Sequence, residues 1–232
     1  MKKLIATLKE KWAEYILEIL VITIGIVGAF LLNSWNEKVK ANHQQQEIIT
    51  NLHEEFETNL ASLEKQITRL NKKIRACSQI QSMVGPSNKI ADSIIIDTLI
   101  QQLYDNPTWN PSTYVITDLR NSGQLKSLKN EKLKELLHHW EQHYENLKEW
   151  YAFEGMTYRQ FLDFMNVHGS VRNAMFKPAF GKSPFPNDNE RLFQKPEFEN
   201  QVGHTLMVTA GLQNIYQSET VDLINQILKE TE

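Results

Sequence analysis

The stretch from Trp12 to Trp35, WAEYILEILVITIGIVGAFLLNSW, constrains this chain more than any other. Between Ile19 and Leu32 it carries no charged residue. A helix rises about 1.5 Å per residue, so Ala13 to Leu32 is roughly 30 Å long, the thickness of a bilayer's hydrocarbon core. Trp12 and Tyr15 stand at one end and Trp35 at the other, where amphipathic rings prefer the headgroup zone. The pattern predicts one membrane-spanning helix. Residues 1–37 then form a short tail and the span, and residues 38–232 a separate domain that hangs from it.

The flanks set an orientation. Lys2, Lys3, Lys9 and Lys11 precede the span, while only Lys38 and Lys40 follow it closely. Positive charge collects on the cytoplasmic side of a membrane helix, so the N-terminus is expected in the cytoplasm and residues 38–232 outside it. A cleaved signal peptide is the main rival, because Val27-Gly28-Ala29 has small residues at a peptidase spacing. Against it, the apolar run continues to Leu32, and Glu10, Glu14 and Glu18 interrupt what would be a basic leader. A buried helix of a soluble protein would show a polar face across this run, and none is present.

Charge and cysteine content exclude some functions for the outer domain. The whole chain has a net charge of −3. The first 37 residues hold four Lys and four Glu, which leaves 21 basic and 24 acidic residues beyond them. That balance lacks the basic footprint of a nucleic-acid binder, and no nucleic-acid partner is expected. Cys77 is the only cysteine, so neither an internal disulfide nor a cysteine-based zinc site can form. Its place on an apolar helical stripe makes it a small buried residue.

Beyond the span, the apolar positions Ile49, Leu52, Phe56, Leu60, Leu63, Ile67, Leu70, Ile74 and Cys77 recur at steps of about 3.5 residues, a coiled-coil-like period. No Pro or Gly lies between Trp35 and Met83, so one long amphipathic helix is expected to continue from the membrane helix and to stop at Gly85-Pro86-Ser87. Asp92 can cap a short helix to about Tyr104. The proline-bracketed NPTWNPST turn follows, then a helix opened by Ser112 or Thr113 and closed by Gly123. From Asn130 another helix is expected to bury Leu133, Leu136, Leu137, Trp140, Tyr144 and Leu147. A last helix over Glu197–Lys229 carries Phe198, Val202, Leu206, Thr209, Leu212, Tyr216, Leu223 and Ile227. The fold class is therefore all-α, an up-and-down bundle of about four long helices. Leu63, Ile67, Leu70 and Ile74 should face Leu133, Leu137, Trp140, Tyr144, Leu212 and Tyr216 across its core.

Residues 168–196 break the helical pattern with several Pro and Gly, and with Phe176, Phe180, Phe185 and Phe193. Loops this long are uncommon in compact domains and are often functional. The four rings mark either a lid packed on the bundle or an interaction loop.

Catalytic and metal chemistry find little support. His139 and His143 lie four apart on one helix, with His138 beside them and Glu135 a turn earlier. That spacing suits a metal, but no fourth ligand and no H-E-x-x-H string is present, and a solvated helix face is the simpler reading. Ser122-Gly123 is a capping signal rather than a nucleophile elbow. The glycines form no phosphate loop. No enzyme activity and no cofactor are expected.

The membrane helix carries the most informative polar residue. Glu18, Ile22, Gly25 and Ala29 fall on one face at steps of 4, 3 and 4. Gly25 and Ala29 form a small-xxx-small pair that permits close helix approach. Glu18 either faces a protein partner or snorkels to the headgroups, since a charge in hydrocarbon is expensive.

Two strings resemble a known family. Residues 24–37, from Ile24-Gly25-Ile26 through Ala29 and Asn33 to Trp35-Asn36-Glu37, resemble the I-G-I-x-x-A-x-x-x-N-x-W-N-E signature of an uncharacterised family of single-span, membrane-anchored proteins of Bacteroidota. Thr113-Tyr114, Leu119, Ser122-Gly123, Leu125 and Leu128-Lys129-Asn130 are similar to its second segment, and Glu18 falls where the family often has an intramembrane Glu. Leu17 departs from a common Gly, and Phe30-Leu31 lacks a frequent polar residue. The resemblance implies a bacterial inner-membrane protein with a periplasmic helical domain, and it brings no catalytic residues. Two functions are then expected in order. The first is a non-catalytic scaffold or accessory protein that self-associates or joins a membrane complex. The second is a periplasmic module that binds a small ligand. The dozen residues before the span hold no signalling domain, so such a sensor would need a separate output partner.

Overall fold

The computed structural model describes residues 2–86, 92–186 and 189–232, with the side chains of the first helix described from Trp12 onward. Among these described residues seven α-helices follow one another: α1 (Lys2–Met83), α2 (Ser93–Leu103), α3 (Tyr114–Asn121), α4 (Glu131–His168), α5 (Lys177–Phe180), α6 (Pro196–Ile215) and α7 (Val221–Thr231). Among the described residues there is no strand. The chain divides into two compact units, residues 1–50 and residues 51–232.

The first unit is helical throughout its described residues, and it contains a segment long and apolar enough to cross a membrane by length and composition. Its most apolar 18-residue window has a mean hydropathy of 2.5, and none of it is buried within the protein.

The second unit is a helical domain whose core runs along one face of α1. Leu52, Phe56, Leu63, Ile67, Leu70, Ala76, Cys77 and Ile80 are buried there. Opposite them α4 buries Leu133, Leu136, Leu137, Trp140, Leu147, Phe161 and Met165. The Phe56 and Trp140 rings meet edge to face at 5.0 Å between centroids, a geometry aromatic quadrupoles favour. Helices α6 and α7 pack along α4.

Local signals fix where the helices begin. Asp92 Oδ1 accepts from Ile94 N at 2.9 Å, and Asn130 Oδ1 accepts from Leu133 N at 3.0 Å. Both are N-cap bonds that satisfy an otherwise orphan donor. Gly123 takes φ 75°, a left-handed conformation that glycine adopts without penalty, and it ends the turn after α3. Pro196 opens α6 at the position where a missing N–H costs nothing.

Three features depart from the sequence expectation. The stripe on α1 is not purely apolar: Ile74 and Leu60 are only half-buried, while Glu55, Asn59 and Lys73 are buried among the apolar residues. The expected single last helix is interrupted by a π-helical turn at Tyr216–Thr220. A π turn carries one extra residue, so the buried position after it is Ile224, and Leu223 is half-buried. The third is the 168–196 segment, which is largely ordered rather than irregular. Helix α4 continues to His168, a π turn covers Arg172–Phe176, α5 follows, and a 3₁₀ turn covers Asn189–Gln194.

Polar anchors explain that order. Asn189, fully buried, accepts from Ser170 N at 2.7 Å and donates to Asp97 Oδ1 at 2.8 Å. Asn173 Oδ1 accepts from Ser183 N at 2.7 Å, and Gly85 N donates to Phe193 O at 2.9 Å. Phe193 and Leu192 join Cys77, Ile80, Ile100, Phe161 and Phe198 in one apolar cluster.

Candidate functional site

The residues expected to act in the apolar N-terminal segment are all on its open surface. Trp12, Tyr15 and Trp35 are exposed. Glu18, Ile22, Gly25 and Ala29 are likewise exposed on their shared face. A Cβ placed on Gly25 would meet no atom within 4 Å. Nothing in the chain itself occupies the shallow groove that this glycine leaves.

The four phenylalanines separate into two groups. Phe193 is buried and packs 5.4 Å from the Phe198 ring. Phe176, Phe180 and Phe185 are exposed, with Phe185 at 75%. Arg172 donates to the carbonyls of Phe180 and Gly181, which holds this exposed turn in shape. Phe193 therefore belongs to the core, and three rings remain for any interaction surface.

The histidines also separate. His138 and His139 face solvent. His143 is half-buried, and its Nε2 lies 2.8 Å from Thr220 Oγ1 in the π turn. Burial lowers its pKa below the ordinary imidazole value, partly offset by the Glu219 carboxylate 4.0 Å from Nδ1. Among the described residues no group of three or more His, Cys, Asp and Glu side chains could hold a metal. Burial pushes the Cys77 thiol up to about 12, which keeps it protonated and unreactive near neutral pH.

What the sequence reading missed is a set of polar residues within the core. The NPTWNPST segment is clamped onto α1. Asn59 accepts from Ser112 N at 2.8 Å and donates to Ser112 O at 2.9 Å, so one side chain satisfies both backbone groups of one residue. Glu55 Oε1 accepts from Ser112 Oγ and from Val115 N. Trp109 Nε1 donates to Ser62 Oγ at 2.8 Å, and the indole packs edge-on to Trp140 and Tyr216. Further along α1, Lys73 Nζ meets Glu154 Oε1 at 3.4 Å and lies over the Tyr158 ring. Glu154 Oε2 has no hydrogen-bond partner. Deeper still, Tyr216 Oη donates to Tyr151 Oη at 2.9 Å, and burial raises both phenol pKa values.

A cleft also lies between α3 and α4 at this end of the domain. It measures about 210 Å³ and is lined by Thr113, Ile116, Thr117 and Arg120 on one side. Trp140, Glu141, Tyr144, Glu145 and Lys148 form the other. Arg120 pairs with Glu141 across it, and Lys148 Nζ with Glu145 Oε1 at 2.6 Å. Trp140 is 1% exposed, and its indole N–H has no partner.

Fold and surface together define a class: an all-helical domain preceded by an uncovered apolar helix long enough to cross a membrane. The chain belongs to a family of unknown function, DUF6090, whose model matches residues 18–175. No curated protein and no solved structure matches it. The matched region begins at Glu18 and takes in most of the apolar segment, the clamp, the cleft and the buried Lys73–Glu154 pair.

Proposed function

We propose that this protein is a membrane-anchored, non-catalytic scaffold or accessory subunit that works by association, with itself or within a membrane complex. One observation carries the reading: the most apolar 18-residue window of α1, near the N-terminus, has none of its residues buried by the rest of the chain. Trp12, Tyr15 and Trp35 hold the span at its two interfaces, and the face of Glu18, Ile22, Gly25 and Ala29 packs against a second helix. A carboxylate facing a partner's donor is cheaper than one facing lipid, and small residues let the two backbones approach. The excess of lysines ahead of the span favours a helical domain outside the cytoplasm, and the family resemblance implies that this is the periplasm of a bacterial cell. The exposed rings of Phe176, Phe180 and Phe185 supply a second contact.

Extraction of the full-length protein in a gentle detergent, followed by mass measurement of the protein component, tests this reading. A mass larger than one chain, or recovery with a stoichiometric companion, supports it. A lone monomer at every detergent concentration overturns it. A reporter fused after Glu232 checks the topology, and a cytoplasmic signal would reverse the orientation.

A further inference from the structure

The cleft between α3 and α4 has no part in the association reading, and its chemistry points elsewhere. Its charged lining is balanced, with Arg120 and Lys148 against Glu141 and Glu145. A singly charged ligand would add an unmatched charge beside two existing ion pairs, and a polyphosphate would also meet both carboxylates. A ligand carrying one positive and one negative group can exchange partners with those pairs and leave every charge matched. At about 210 Å³ the space is smaller than the pockets that hold drug-sized ligands. Ile116, Trp140 and Tyr144 give it an apolar wall as well.

Trp140 adds an independent sign. Its indole N–H is a buried donor with no acceptor in the protein, and such groups in native structures generally have a partner. The nitrogen is buried, so a ligand oxygen reaches it only after a neighbouring side chain moves. Arg120, which lines the cleft, has its side chain 59% exposed. We infer that this cleft binds a small zwitterion of the aliphatic α-amino-acid class. The carboxylate engages Arg120 and the Trp140 N–H, the ammonium engages Glu141 or Glu145, and the side chain lies along Ile116 and Tyr144. This inference does not depend on association, since a monomer could carry the same cleft.

Calorimetric titration of the full-length protein in detergent tests it, with L-leucine as the probe. Isoamylamine and 4-methylpentanoate, which each keep one of leucine's charged groups, are the comparisons. Saturable binding of leucine is expected, with both analogues weaker by about tenfold or more. Thr117→Phe, at an exposed position lining the cleft, fills the space and should abolish binding, while Arg120→Gln should weaken it about tenfold. Thermal unfolding of each variant confirms that it is folded. Absence of leucine binding up to about 10 mM overturns the inference. So does binding that survives Thr117→Phe in a folded protein, or an anion that binds as tightly as leucine.

Discussion

Lys73 Nζ lies 3.4 Å from Glu154 Oε1, with the two side chains 2% and 6% exposed between α1 and α4. Each charge is tolerable there only because the other is present. Removing one partner alone, in Lys73→Met or Glu154→Leu, should cost about 3–5 kcal/mol, because a lone buried charge remains. The double variant should recover most of that loss, since an apolar pair of similar volume replaces ions that were expensive to desolvate. Urea unfolding of the four proteins, as full chains in detergent, measures the coupling. Additive losses would show that the two residues do not act as a pair.

Asn59 makes a similar demand at the other end of the domain. Its amide satisfies both the N–H and the C=O of Ser112, and so holds the proline-bracketed segment on α1. Asn59→Ala leaves both groups without their partner and should destabilise the domain by roughly 1–3 kcal/mol. Hydrogen exchange should then rise first at Ser112 and Val115. Unchanged protection at both would show that the clamp is incidental.

His143 couples stability to pH. Burial holds its folded pKa below the unfolded value, so the folded state resists protonation while the unfolded state accepts it. Its contribution to stability is complete above the unfolded value of about 6.5 and is lost as pH falls toward the folded pKa. Melting temperature should therefore fall between about pH 7.5 and 5.5, and His143→Gln should remove part of that slope. Equal slopes in the two proteins would assign the pH dependence to other groups.

These residues also show how far the chain could be read before its fold was known. Apolar spacing identified Leu63, Leu70, Trp140 and Tyr216 as core because burial of large side chains follows helical period closely. Asp92, Gly123 and Asn130 were legible as helix ends because capping is local chemistry. Lys73, Glu55 and Asn59 were not legible as core. Their burial depends on Glu154 and Ser112, which lie far along the chain, and periodicity carries no information about such partners. The π turn at Tyr216–Thr220 has no apolar signature either, and it changed which of Leu223 and Ile224 is buried. Four phenylalanines in 168–196 looked equivalent by composition. Asn189 and Asn173 anchor the segment, and Phe193 packs into the core cluster while the other three stay outside. The α3–α4 cleft escaped notice because its lining comes from two helices, and each residue alone reads as ordinary helix surface.

The most direct test of the central claim compares Gly25→Leu with Val21→Leu in the full-length protein. Gly25 lies on the face shared with Glu18, Ile22 and Ala29, and a side chain there meets open space within the chain itself. A Cβ at this position meets nothing within the chain, so leucine there should act on what the helix touches outside it. Val21 lies on another face and already carries a branched side chain. Molecular mass in gentle detergent, with recovery of any companion protein, is the readout. If the span packs against a second helix, Gly25→Leu lowers the associated fraction and Val21→Leu leaves it unchanged, because filling the groove forces the backbones apart. Equal association in both variants would contradict the account and reduce the helix to a tether.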